Sequence, residues 1–280
     1  MRVSEKELPP LPEPLPHPVI DSHTHLDSVT EMTGLPATDA IAQASRVNVT
    51  GLVQVGCDLP SARWAVEVAQ AHPEVVATVA IHPNEVARLG ALELADALDH
   101  IDHLATAPRV RAVGETGLDY YRTPDPAAQQ RQRDAFGAHI AIARERGLAL
   151  VIHDRDAHAD ILTVLDAAGV PDRVVMHCFS GDAEFARQCL DRNAWLSFAG
   201  PITYKANEHL REALRIAPLD RILVETDAPY LVPVPWRGRP NAPHLIPHTA
   251  RFIAETRGED LETVCAALYV NAHAAFGGAW

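Results

Sequence analysis

The residues best suited to chemistry in this 280-residue chain are histidines and carboxylates at the ends of short apolar runs. His23 and His25 follow the run Val19–Ser22 in the order Asp21-Ser22-His23-Thr24-His25. On extended chain an i, i+2 pair puts both imidazoles on one face. Glu115 ends the run Val110–Glu115, His153 ends Ala149–His153, His177 ends Arg173–His177 and Asp227 ends Ile222–Asp227. Four imidazoles and two carboxylates exceed the needs of one catalytic tetrahedral cation, which must keep a position open. They suit two adjacent divalent cations sharing a carboxylate, and the chemistry of such a pair is hydrolysis. A single buried histidine is more simply a satisfied core residue. That account would require four such histidines at strand ends together with two buried carboxylates, whose desolvation without a cation costs on the order of several kcal/mol each.

Convergence of residues so far apart requires a particular scaffold. Besides the runs just named, Gly51–Gly56, Val75–Ile81 and Ala194–Phe198 are short, apolar and rich in β-branched residues. Between the runs, apolar residues recur at three- and four-residue intervals, as in Ser61–Ala71, Ala91–Leu104, Ala127–Arg146, Asp156–Ala168 and Asp182–Asp191. Eight alternations of strand and helix predict a (β/α)8 TIM barrel, in which the C-terminal strand ends meet in one mouth. Two more helices, about Ile246–Thr256 and Leu261–Phe276, would close the chain against the barrel exterior. The first 18 residues hold prolines at 9, 10, 12, 14, 16 and 18, and read as an extended arm along the domain surface. The expected division is therefore a proline-rich arm, 1–18, and one barrel domain, 19–280.

Composition narrows the function. With 24 Lys+Arg against 37 Asp+Glu, the formal charge of -13 argues against an architectural nucleic-acid binder, which needs a broad basic surface. It leaves room for a phosphate-ester enzyme, because cations supply positive charge locally. The four cysteines form no C-x-x-C pair. With no basic, apolar leader and no apolar run of membrane-spanning length, a cytoplasmic location is expected, with neither a membrane nor an obligate protein partner.

Several polar residues lie near the expected mouth. His82, in Ile81-His82-Pro83, is a candidate either for substrate binding or for a hydrogen bond to a ligand. Tyr204, Lys205 and Arg237, in the loops after the seventh and eighth runs, could hold a substrate phosphate. Glu225, two residues before Asp227, should lie one layer deeper on the same face. His72, His100, His103, His139, His158, His209, His248 and His273 fall in predicted helices or at their ends and read as solvated surface rings.

Four blocks together resemble a known family. They are Asp21-Ser22-His23-Thr24-His25-Leu26-Asp27, Val113-Gly114-Glu115-Thr116-Gly117-Leu118-Asp119-Tyr120-Tyr121, His177-Cys178-Phe179-Ser180-Gly181 and Glu225-Thr226-Asp227-Ala228-Pro229-Tyr230-Leu231. In this order the chain resembles the TatD-like metal-dependent deoxyribonucleases of the amidohydrolase-type barrel superfamily, from about Val19 to Phe276. The resemblance implies that His23, His25 and Asp227 bind one cation, that His153 and His177 bind the other, and that Glu115 bridges them. It further implies that Asp227 is the base acting on the attacking water, which gives Asp227 and Glu115 catalytic roles. Many relatives in the wider superfamily bridge with a modified lysine, and Glu115 favours the TatD-like branch. The segment Arg237-Gly238-Arg239-Pro240-Asn241-Ala242-Pro243 departs from the family's usual Arg-Gly-Lys-Arg-Asn-Glu-Pro by losing an arginine and a glutamate.

The expected reaction is phosphodiester hydrolysis, with DNA or another phosphodiester bound at the mouth. The alternatives are an amide or acyl-ester hydrolase, such as a D-aminoacyl-tRNA deacylase, and a non-catalytic metal-binding protein. Mixed imidazole and carboxylate donors admit Zn, Mn, Mg or Fe.

Overall fold

The computed structural model describes residues 7–278 and Trp280. Eight parallel strands stand in sequence order. They are β1 Val19–Thr24, β2 Val49–Gly56, β3 Val75–Val79, β4 Val110–Asp119, β5 Ala149–Arg155, β6 Val174–Met176, β7 Trp195–Phe198 and β8 Ile222–Val224. Helices follow each strand: α1 Leu26–Thr33 and α2 Ala37–Ser45, then α3 Leu59–Ala71, then α4 Pro83–Val86 and α5 Ala91–Leu104. The series continues with α6 Pro126–Arg146, α7 His158–Ala168, α8 Ala183–Leu190 and α9 Glu208–Ile216, and ends with α10 Ile246–Arg257 and α11 Leu261–Phe276. This is the (β/α)8 barrel that the alternation predicts.

The barrel closes between β1 and β8 without a regular ladder. Among the described residues the seam is held by a single parallel bridge, Thr24 to Ala228, with His25 N donating to Ala228 O and Asp227 N to His23 O, each at 2.9 Å. Just below, the buried Asp21 carboxylate accepts Thr226 N at 2.9 Å and Thr226 Oγ1 at 2.5 Å. One side chain on β1 thus fixes the residue before Asp227.

Two apolar clusters follow from the two faces of the strands. One lies between strands and helices; the other joins Val151, Val175 and Leu223 with Ile20, Val53 and Val55. Side chains alternate along a strand. His153, His177 and Glu225, two residues beyond Val151, Val175 and Leu223, therefore share the inner face. Phe276 belongs to this inner cluster, so the end of α11 plugs the barrel instead of lying wholly against its exterior.

Several strand ends differ from expectation. β4 continues four residues past Glu115, while regular pairing stops at Val79 in β3 and Val224 in β8. Gly114 and Gly117 let β4 run close to β5: a Cβ on Gly114 would lie 2.5 Å from Val151 Cβ, and one on Gly117, at φ 129°, would lie 2.1 Å from His153 O. α1, α2, α4 and α9 add to the helices read from periodicity. They are short, and short segments carry few repeats of a periodic signal.

Residues 7–18 form neither helix nor strand, but they are docked. Leu15 is buried, its N–H donates to Val47 O at 3.2 Å, and Asn48 Nδ2 donates to Leu15 O at 2.6 Å. Arg251 Nη2 donates to the carbonyls of Glu13 and Pro14 at 2.8 and 3.0 Å. The first six residues of the expected arm lie outside the described residues.

Candidate metal centre

All six donor residues expected from sequence converge at the mouth. The strands deliver them by breaking their regular register at the needed points. Between Asp21 and Thr24, β1 spends three residues against two of β2; between Val113 and Thr116, β4 does the same against β5. Such bulges re-aim side chains. The first displaces His23 and the second Glu115.

Glu115 is the hub. Its Oε1 lies 2.6 Å from His153 Nδ1 and 3.4 Å from both His177 Nε2 and His82 Nε2, while Oε2 lies 3.4 Å from His23 Nε2. Burial pushes this carboxyl upward, but the surrounding imidazoles outweigh it and hold the group well below the usual carboxylate range. Asp227 is the more open carboxylate, with its side chain 14% exposed against 5% for Glu115. Its Oδ1 lies 3.3 Å from His25 Nε2. Burial raises it, and His25, His177 and His23 together bring it below its ordinary value.

The imidazoles differ in what stands behind them. His177 Nδ1 lies 2.9 Å from Glu225 Oε1, a buried carboxylate that also accepts Cys178 N at 2.8 Å. A proton on that Nδ1 leaves the Nε2 lone pair facing Glu115, the tautomer a cation requires. His153 is placed in the opposite sense, with Nδ1 toward Glu115 and Nε2 3.4 Å from Asp119 Oδ2. Burial lowers both rings, yet Asp119 and Glu115 lift His153 to about 10, and Glu225 and Glu115 lift His177 to about 8. Burial and the neighbouring His177 instead lower His23.

The donor set fits divalent cations. His23 Nε2 and His25 Nε2 face each other at 3.3 Å, and among the described residues the buried His23 Nδ1, His153 Nε2 and His177 Nδ1 make no hydrogen bond of regular geometry, although the last two lie 3.4 and 2.9 Å from the Asp119 and Glu225 carboxylates. Three groups have donor atoms all within 4.8 Å of one another: His23, His177 and Asp227; His23, His25 and Glu115; and His82, Glu115 and His153. They share His23 and Glu115, so they are overlapping parts of one centre. His82 fits the last group poorly as a ligand. Its Nδ1 accepts Asn84 N at 3.1 Å to cap α4, so the neutral ring carries its proton on Nε2, toward Glu115. Burial lowers this ring and keeps it neutral. The arrangement suits a hydrogen bond to Glu115.

The other expected substrate residues line the far rim. Arg237 stacks over the Tyr204 ring at 4.3 Å, while the Tyr204 hydroxyl is committed to Val232 O at 2.8 Å. Lys205 is exposed. Asn241 anchors the same loop by donating to Thr226 O and Tyr230 O, and the departing residues Pro240 and Ala242 are buried beside it.

Asp119, Asn84 and Cys57 belong to this region and were not singled out from sequence. Asp119 is buried and accepts Asn84 Nδ2 at 3.0 Å; Cys57 Sγ lies 3.8 Å from Glu115 Oε2. Asp119 had a usable signal, as a carboxylate four residues beyond Glu115, but Gly117 masks the continuation of the strand. His139 is a correction. It is a buried strut between β3 and β4, accepting Ile81 N through Nε2 at 3.2 Å and donating to Thr116 Oγ1 through Nδ1 at 2.9 Å. His158 and His248 are half-buried, paired with Asp154 and Trp236.

Residues 20–277 match the family model described as TatD related DNase. The chain is 40% identical over 265 residues to the uncharacterized metal-dependent hydrolase TatD of Mycobacterium tuberculosis, covering 94% of this chain and 99% of that one. It is 35% identical over 246 residues to the 3'-5' ssDNA/RNA exonuclease TatD of Citrobacter rodentium, covering 85% and 91%. The crystal structure of YJJV, a TatD homologue from Escherichia coli K12, superposes with a TM-score of 0.84 at 23% identity, covering 93% of this chain and 98% of that one.

Proposed function

The chain belongs to the TatD-related DNase family of metal-dependent hydrolases, and from that premise we propose that it cleaves phosphodiester bonds in DNA, with two divalent cations held in the barrel mouth. The observation carrying this reading is the convergence of His23, His25, His153, His177 and Asp227 around Glu115. One cation would be held by His23, His25 and Asp227 and the other by His153 and His177, with Glu115 shared. Such cations, when bound, lower the pKa of water and neutralise charge on phosphoryl oxygens.

The chain's own residues do the rest. Asp227 stays ionised and is the more exposed carboxylate, so it accepts the proton of the attacking water. Glu225 fixes the His177 ring from behind, and the Nε2 proton of His82 steadies Glu115. Lys205 and Arg237 hold the substrate phosphate on the rim after β7 and β8. The family name and the exonuclease name of the Citrobacter relative support a nucleic-acid substrate.

The test is to give one metal-loaded sample a labelled single-stranded DNA, an acyl-ester and an amide substrate. Cleavage of the DNA that stops on chelation and returns with added cation is the expected result. Turnover of the acyl ester or amide without cleavage of DNA would overturn the nuclease reading, and no turnover of any kind would favour a non-catalytic protein.

A further inference from the structure

Of the phenylalanine, tyrosine and tryptophan side chains among the described residues, only Tyr121 and Tyr230 are exposed, at 63% and 49%, and both stand at the barrel mouth. Tyr121 lies two residues beyond the end of β4, and Tyr230 lies in the loop after β8. In a barrel whose eight strands stand in sequence order, β4 and β8 are four strands apart in either direction, so the two rings rise on opposite sides of the donor cluster.

Each ring is held from behind. Tyr230 has both main-chain groups committed, its N–H donating to Asp227 O at 2.9 Å and its carbonyl accepting Asn241 Nδ2 at 2.7 Å. Its ring meets the His25 ring edge-on, with centroids 6.3 Å apart. On the other side, Arg155 covers one face of Tyr121, with the guanidinium carbon 4.0 Å from the ring centroid. The backbone flanking Tyr121 is tied down by Tyr120 N donating to Arg155 O at 2.9 Å and Arg122 N donating to Asp119 Oδ1 at 2.8 Å. A tyrosine ring costs little conformational entropy to fix and presents a large apolar face. Two such faces, left in water on either side of the donor cluster, suit a flat apolar partner.

We infer that Tyr230 and Tyr121 stack bases of the substrate strand on the two sides of the scissile phosphate, Tyr230 beside His25 and Asp227, Tyr121 beyond Asp119 and His153. The inference rests on the nuclease reading and adds to it how the strand is held. With a net charge of -13 the protein gains little long-range attraction from the phosphates, whereas every base offers a π-face whatever the sequence. A duplex keeps those faces against one another, so only unpaired nucleotides can use both rings.

The test uses metal-loaded wild type, Tyr230→Ala, Tyr121→Ala and the corresponding Phe variants, with octathymidylate as substrate and, as competitor, an abasic octamer carrying the same phosphates without bases. Each Ala substitution should raise KM for octathymidylate on the order of tenfold, the loss expected for one stacked base, while Tyr230→Phe and Tyr121→Phe stay near wild type. The inhibition constant of the abasic octamer should be the same in wild type and in both Ala variants, since it has no base to stack. For Tyr230→Ala the slope of log KM against log salt should also match wild type, because an aromatic face displaces no counterions. An unchanged KM for octathymidylate in either Ala variant would overturn the assignment of that ring. An equal loss of affinity for the abasic octamer would overturn it too, by making the ring a structural support. Failure of wild type to cleave octathymidylate at all would instead overturn the nuclease reading beneath it.

Discussion

At the mouth, the rings of His23, His25, His153 and His177 face carboxylates, whereas His139, buried behind the wall of β3 and β4, faces a backbone N–H and a hydroxyl. Both environments are largely buried, and burial alone lowers every one of these rings. At the mouth the carboxylates lift His153 to about 10, although His23, against His177, stays lowered, while His139, with no carboxylate beside it among the described residues, falls to about 4. Burial therefore does not distinguish a functional imidazole from a structural one. The charge of its partners does, because only a carboxylate makes a cation welcome in a low-dielectric site.

The sharpest test of the mouth is Asp227→Asn. The amide can still coordinate through oxygen but cannot accept a proton, so hydrolysis should fall about 10²–10⁴-fold while metal content falls much less. Near-normal single turnover by a metal-loaded variant would remove Asp227 as the base. Glu115→Gln should come next, keeping the size of the hub while deleting the charge shared by four imidazoles. Metal analysis should find fewer cations per chain; full occupancy with unchanged turnover would place the bridge elsewhere. Glu225→Gln probes one step back, where it leaves the His177 ring without its anionic support. A loss of about 10–100-fold in metal affinity or activity is expected, and a loss exceeding that of Asp227→Asn would transfer the base role to Glu225.

His139 gives the smallest effect and one of a different kind. Its folded pKa of about 4 lies below the ordinary 6.5, so the neutral ring contributes stability above pH 6.5 that is lost as pH falls toward 4. By linkage the acid limb is worth about 3 kcal/mol. His139→Gln, followed by urea unfolding of cation-free protein between pH 7 and 4 (roughly the span set by the two pKa values), should flatten that limb. Parallel stability curves for variant and wild type would show that His139 is not the titrating strut.

The sequence by itself determined the barrel and the six converging donors. Repeated alternation of strand and helix leaves parallel strands whose C-terminal ends meet, so topology alone brings together His23, His25, Glu115, His153, His177 and Asp227. Ala91–Leu104 and Leu261–Phe276 were legible to the residue because their apolar spacing is long and regular. Tertiary structure alone decided which nitrogen of each ring turns inward. His82 spends Nδ1 on Asn84 N, His177 turns Nδ1 toward Glu225 and His153 turns Nε2 toward Asp119, and each choice is made by the neighbours that packing supplies. The same holds for the seam that Asp21 closes onto Thr226, 205 residues away, and for His139, whose helix could not reveal that its ring faces the barrel wall. Spacing along a chain fixes which face of an element a side chain occupies; only the folded neighbours fix the charge and the proton it finds there.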